Sequence, residues 1–382
     1  MDLTPVSEPS TESPAPGGGQ ASGASPPPRA SIVVGSYNRL SCLCELIEIF
    51  LAQDFTDFEV VVIEQSTKAT AEQRGRLAEL ARDPRIRLFP RPPLGGAGAR
   101  NEGCRLARAD IIVAFDDDDL PASTTWLSSL MKNFADPNCL GVSGRHILEH
   151  GPTPPYANMA RARRRVLSYS PLMWQRCFPR TDVRNEKIQN LMGGNSAVRR
   201  SLLERIGLWD EFPRCENENS LWLRLEAERR PGEYLVFDPE PAMIRRLGIE
   251  GGMAKRELGV FGFGFRMFEY FHKVLGYYRR RRFLALYPIY VGFYFWILCT
   301  WVWNESAKYH PHRVRAFATL VGFALVLPLT WTVWLARLAV DRIRKGPEKR
   351  QRVFVPYASE PPGEPVPPGR DEADVRAQPT IA

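Results

Sequence analysis

No two of the seven cysteines stand in a Cys-x-x-Cys pair, and their number is odd. That leaves no zinc-ligand spacing and no complete set of paired thiols, and it fits a reduced, cytosol-facing protein. The first 29 residues also lack the apolar stretch that a secretory leader needs. They are Pro, Ser, Gly and Ala with a few acids, a composition that buries too little apolar surface to offset the entropy of ordering. A disordered tail is expected there, and another over residues 345–382, which are rich in Pro and charge. No nucleophile motif that would form a covalent intermediate is present.

What is present is an excess of basic residues, 51 against 43 acids, for a formal charge of +8. The excess is clustered: Arg161 with Arg163, Arg164 and Arg165, then the four arginines at 279–282, then residues 342–352. Such clusters suit anionic lipid, phosphorylated substrates or nucleic acid. Two of the three flank apolar runs, at 283–303 and 316–334, each free of charge and long enough for a membrane helix. Charges richer at the outer ends predict a hairpin in the inner (plasma) membrane with the large N-terminal part in the cytoplasm. Residues 251–282, mixing Phe and Tyr with Lys and Arg, suit an interfacial segment. Nucleic acid is not expected as a partner.

From residue 31 onward, short β-branched runs alternate with helical spacing. Strands are expected at 31–37, 58–63, 86–89 and 111–115, with helices at 40–53, 71–82 and 96–108. That alternation predicts an α/β fold with a mostly parallel sheet covered on both faces. Ligands of such sheets bind beyond the carboxyl ends of the strands. Asn38, Glu64 and the run Asp116-Asp117-Asp118-Asp119 all fall there. Four adjacent carboxylates repel unless solvated or neutralised. A hard divalent cation, Mg²⁺ or Mn²⁺, accepts oxygen ligands of this kind and would bridge them to a diphosphate.

The run has company. Gly35-Ser36-Tyr37-Asn38-Arg39, Glu64-Gln65-Ser66-Thr67, Gly98-Ala99-Arg100-Asn101-Glu102-Gly103, Gly193-Gly194-Asn195-Ser196-Ala197 and Ile206-Gly207-Leu208-Trp209-Asp210-Glu211 follow in order. The set resembles family 2 glycosyltransferases with the GT-A fold, over about residues 31–230. The resemblance implies a donor pocket lined by Tyr37, Asn38, Arg39 and Glu64. It also implies that Arg100 and Asn101 hold the loop near the diphosphate, with Asp116 nearer the ribose. Asp118 and Asp116 match the metal-binding pattern. Asp117 belongs to the same donor-side run, although it and Asp119 read better as solvent-facing acids or caps of a helix starting near Ala122. Gly194 and Asn195 would lie on the acceptor side.

One segment departs from the family's usual Glu-Asp before a helix. Here Glu216-Asn217-Glu218 stands in its place, so Glu218 takes the position of the general base, with Glu216 as the alternative. The implied activity is inverting transfer of a sugar from a nucleoside diphosphate donor to a hydroxyl of a lipid-linked or surface glycan. A polyprenyl-phosphate glycosyltransferase is the near alternative, and a non-catalytic membrane scaffold that kept the fold is the alternative from another class. The Gln-x-x-Arg-Trp motif of processive synthases is missing. The expected domains are a tail at 1–29, a catalytic domain at 30–250, the interfacial segment at 251–282, two membrane helices within 283–340 and a tail at 345–382.

Overall fold

The computed structural model describes residues 26–149, 166–169, 175–176, 180–211 and 217–246, with the short stretch 285–289 and scattered positions between 249 and 357. Its centre is set by the apolar runs. β1 (Ala30–Ser36), β2 (Phe58–Glu64) and β4 (Ile111–Asp116) are buried along almost their whole length. Strands apolar on both sides must lie between two covering layers. The helices that cover them alternate with the strands in sequence: α1 (Leu40–Leu51), α2 (Ala71–Leu80) and α3 (Gly95–Leu106), with β3 (Ile86–Pro90) between the last two. Each element lies within a few residues of its sequence expectation. A capping box between Thr70 and Gln73 fixes the start of α2.

After β4 come β5 (Asp119–Pro121), α4 (Trp126–Met131), β6 (Cys139–Ser143) and β7 (His146–Leu148). A short pair, β8 (Ser168–Tyr169) and β9 (Gln175–Arg176), precedes β10 (Ser196–Arg199) and α5 (Arg200–Ile206). The domain closes with α6 (Asn217–Glu228), β11 (Tyr234–Phe237) and β12 (Met243–Arg245). The main sheet runs β11-β6-β10-β4-β1-β2-β3. Its half from β4 to β3 is parallel, and β10 enters antiparallel between β4 and β6. A second sheet, β5-β12-β7, lies where the backbone leaves β4.

Alternate strand residues feed two separate cores. Ile32, Val34, Val60, Val62, Val113 and Phe115 face Leu43, Ile47 and Phe50 of α1 and Trp126 of α4. Val33, Val61, Ile63 and Ile112 face Ala99 and Cys104 of α3, Leu202 of α5 and Trp222 of α6. Under the end of β4, Trp126 stacks on Phe50 at 5.6 Å and meets Phe115 edge-on at 5.0 Å. These rings hold the end of the strand that delivers the acidic run.

The membrane expectation is corrected. Among the described residues, no helix is long and apolar enough to cross a membrane, so placement in the inner membrane does not stand. Of the run at 283–303 only 285–289, 292–293 and 295–296 are described, and of 316–334 only 321 and 332–333. The 251–282 segment lies outside the described residues, as do both tails apart from a few positions.

Trp126 also donates its Nε1–H to Asn195 Oδ1 at 2.7 Å, inside the protein. Trp126→Phe keeps an aromatic ring and removes that donor, leaving a buried amide oxygen unpaired. The expected loss is about 1–3 kcal/mol in urea unfolding; an unchanged midpoint would mean that the bond carries no stability.

Candidate functional site

The acidic run keeps the two-residue alternation of a strand through its turn. Asp116 and Asp118 have side chains 33% and 20% exposed, whereas Asp117 and Asp119 are buried at 1% and 2%. The alternative reading of Asp117 and Asp119 as solvent-facing or helix-capping acids is therefore corrected. The following helix, α4, starts only at Trp126, and its cap position is Thr125.

Each buried acid has an arginine. Asp117 is gripped by Arg39, whose Nε donates at 3.1 Å and whose second nitrogen closes the ion pair. Arg39 also donates to Asp118 Oδ2 at 2.9 Å. Asp119 takes two bonds from Arg245, at 3.3 and 3.1 Å. That contact exists because β12 runs antiparallel to β5 with Arg245 opposite Asp119. Arg246, the next residue, donates to the Asp118 carbonyl at 3.2 Å and to Glu45 at 2.6 Å. Burial still pushes the Asp117 carboxyl up to about 6, against the pull of Arg39. Burial likewise raises Asp119 to about 7, with the negative charges of Asp116 and Asp118 adding to it and Arg245 opposing.

Asp116 faces the open side. Arg100 of α3 reaches it at 3.5 Å and reaches Glu218, in the first turn of α6, at the same distance. The Arg100 guanidinium lies over the Trp209 ring, 5.3 Å from its centre, which holds it between the two acids. Below them runs Gly193-Gly194. A Cβ on Gly194 would stand 2.6 Å from Asp116 Oδ2, and one on Gly193 would overlap the Glu218 carboxylate. Only glycines let the backbone pass so close under both acids. The carboxylates of Asp116, Asp118 and Asp119 each offer an oxygen within 4.8 Å of the others. Oxygen donors grouped in this way suit a hard divalent cation.

The remaining expected residues divide into two groups. Tyr37 is 46% exposed beside the site. Asn38 sits in the left-handed region at φ 56° and accepts from Thr67 N and Lys68 N, both at 2.9 Å. The buried Glu64 accepts from Ser66 N at 2.5 Å. Asn38 thus ties the loop after β1 to the loop after β2, while Glu64 bonds within the loop after β2, and both shape the edge of the cleft. Asn101 and Asn195 are wholly buried and engaged elsewhere. The Asn101 amide bonds the backbone N–H and C=O of Trp209 and the Glu211 carboxylate, at 2.8 to 3.0 Å. The Asn195 amide bonds Arg145 O, Pro241 O and the Trp126 indole. Both fasten loops rather than face the opening. Glu216 lies outside the described residues.

Sequence reasoning missed Arg245 and Arg246. The only local signal was a pair of arginines ending a short apolar run, and their partners lie more than 120 residues away.

The sequence comparisons concern the domain as a whole. Residues 31–207 match the model for glycosyl transferase family 2. The uncharacterized glycosyltransferase YwdF of Bacillus subtilis is 31% identical over 91 residues, 24% of this chain and 33% of its own length. The succinoglycan biosynthesis protein ExoO of Rhizobium meliloti is 36% identical over 93 residues, 24% of this chain and 26% of its own. The matched stretch is thus a third or less of each relative. Among solved structures, the mannosyltransferase PcManGT from Pyrobaculum calidifontis, in complex with GDP-Man and Mn²⁺, is 19% identical. The match spans 84% of this chain and 88% of PcManGT at a TM-score of 0.49, a likeness too loose to transfer any detail.

Two buried carboxyls with raised values make stability depend on pH. Unfolded Asp titrates near 3.9, so the folded protein binds the extra protons and stability falls as pH rises towards 7. Glu59, Asp83 and Glu233 are held low instead and are already ionised above about pH 5. Burial holds His146 neutral well below its usual range, which opposes the fall up to about pH 6.5, but it is one group against two carboxyls. Without divalent cations, Tm is therefore expected to decline between about pH 5 and about pH 7, most steeply above about pH 6.5. Asp119→Asn should flatten that slope, and a Tm rising steadily across the window would contradict it.

Proposed function

Because the domain over residues 31–207 belongs to glycosyl transferase family 2, we propose that the protein transfers a sugar from a nucleoside diphosphate donor to a hydroxyl of a glycan acceptor, with inversion. The mostly parallel α/β sheet agrees with the GT-A fold that the sequence resemblance implies. The name of the succinoglycan relative supports a glycan as the acceptor class.

One observation carries the reading. Arg100 stands 3.5 Å from both Asp116 and Glu218, above the Gly193-Gly194 backbone, so a donor-side acid and a candidate base share one small opening. Glu218 is the group in reach of an acceptor there. Its carboxylate takes the hydroxyl proton as the acceptor oxygen attacks the anomeric carbon. The bond from that carbon to the diphosphate oxygen breaks on the opposite face, and its electron pair leaves with the nucleoside diphosphate. Arg100 is placed to offset negative charge beside Asp116. Tyr37 lies exposed on the rim, where a nucleoside would enter. Arg39 acts from behind, through Asp117 and Asp118.

Asp116 and Asp118 would hold a Mg²⁺ or Mn²⁺ ion, with Asp119 beside them. When bound, such an ion supplies Lewis-acid neutralisation of the departing diphosphate. The local charge supports this assignment. With all ionised, Asp116, Asp117, Asp118, Asp119 and Glu218 are five carboxylates facing three guanidinium groups, Arg39, Arg100 and Arg245. The excess of two negative charges equals one divalent cation.

Two substitutions separate the roles. Glu218→Gln should lower turnover by about 10²–10⁴-fold while leaving the Mn²⁺-dependent thermal shift by donor sugars in place. Asp118→Asn should remove that thermal shift. Full turnover by Glu218→Gln would take Glu218 out of the reaction, and the absence of a shift from any nucleoside diphosphate sugar with Mn²⁺ would sink the donor assignment.

A further inference from the structure

Tyr357, far beyond the domain in sequence, lies half-buried against it. Its hydroxyl donates to the Cys104 carbonyl at 3.0 Å, across 253 residues of sequence, and accepts from Arg200. Its ring packs on the core beneath α3 and lies 6.0 Å from the Arg200 guanidinium.

The place of contact matters. A helix leaves its last four carbonyls without partners inside the helix. At the end of α3, Gly103 O accepts from Ala107 N, and Leu106 O accepts from Arg87. Arg108 N, which would otherwise close on Cys104 O, turns to Glu59 at 2.6 Å. The Tyr357 hydroxyl takes the carbonyl so freed. Arg200 then bonds Ala107 O and Ala109 O, so tyrosine and arginine together close the end of this helix. Because α3 includes four glycines, at 95, 96, 98 and 103, its intrinsic helix propensity is poor and tertiary contacts must hold it. One turn before Cys104, α3 presents Arg100 to Asp116 and Glu218.

We propose that Tyr357 is an intramolecular strap: this residue docks on the back of α3, and the dock holds Arg100 in register with the site. Tyr357 touches none of the reacting groups and is a positioning residue. The strap rests on the contacts above; its consequence for transfer rests on the glycosyltransferase reading.

Hydrogen–deuterium exchange on the 382-residue chain, without ligand, tests the strap by itself. Tyr357→Ala should speed exchange in residues 98–107 roughly fivefold or more, the effect of losing one hydrogen bond. The strands of the sheet should be unchanged. Tyr357→Phe, which keeps the ring and loses the hydroxyl, should fall between Tyr357→Ala and the parent. Exchange in α3 unaltered by Tyr357→Ala overturns the proposal, as does acceleration spread evenly over the domain, which would mean general destabilisation. With donor present, Tyr357→Ala should raise the KM for the nucleotide sugar several-fold with less change in kcat, and Tyr357→Phe should restore part of it. If exchange responds but no nucleotide sugar is turned over even by the parent protein, the strap stands and the glycosyltransferase reading fails.

Discussion

Negative charge crowded at one sheet edge is the constraint around which this domain is arranged. β4 ends at the first of four consecutive aspartates, and close carboxylates in a partly buried setting cannot all stay ionised unless cations are near. Arginines arrive from separated segments: Arg39 after β1, Arg100 on α3 and Arg245 at the end of β12. Each segment is held by its own packing. Arg39 precedes α1, whose apolar face lies on the sheet. Arg100 lies over Trp209. Arg245 is fixed by a ladder with β5. Loss of any of these anchors would be felt at the aspartates, because an unpaired buried carboxylate is costly.

The same arrangement divides the four acids into two kinds. The buried ones, Asp117 and Asp119, are clasped by arginines and serve to hold the turn in shape. The half-exposed ones, Asp116 and Asp118, keep a face toward the opening, where a cation and a diphosphate fit the proposed chemistry. Polar residues just outside the site continue that support. Asn38, Asn101 and Asn195 each bond backbone groups of neighbouring loops. Two of them, Asn38 and Asn195, adopt positive φ, which asparagine tolerates better than most residues. An asparagine in a motif can thus recur for its backbone geometry as much as for ligand contact.

The back of the domain matters to the front through α3. Its glycines allow it to lie close on the sheet but leave it weak as an isolated helix. Its far end is closed by Arg87, Arg200 and Tyr357. A helix fixed at its C-terminal end and carrying Arg100 near its middle gives residues remote from the opening a physical route to it.

The sequence by itself determined the strand–helix alternation, the mostly parallel sheet and the position of the acidic run beyond the carboxyl end of a buried strand. Those follow from periodicity and apolar runs, which are local. It also placed Arg100, Glu218 and Gly194 among the candidates, and the fold brings Arg100 and Gly194 to Asp116 and Glu218 to Arg100. Only the tertiary structure decided which aspartates are buried, that Asn101 and Asn195 fasten loops, and that Arg245 belongs beside Asp119. Each of those depends on a partner far off in the sequence: 126 residues for Arg245 and Asp119, 108 for Asn101 and Trp209. Local pattern reports which face a residue prefers, whereas the register between distant strands decides what meets it there.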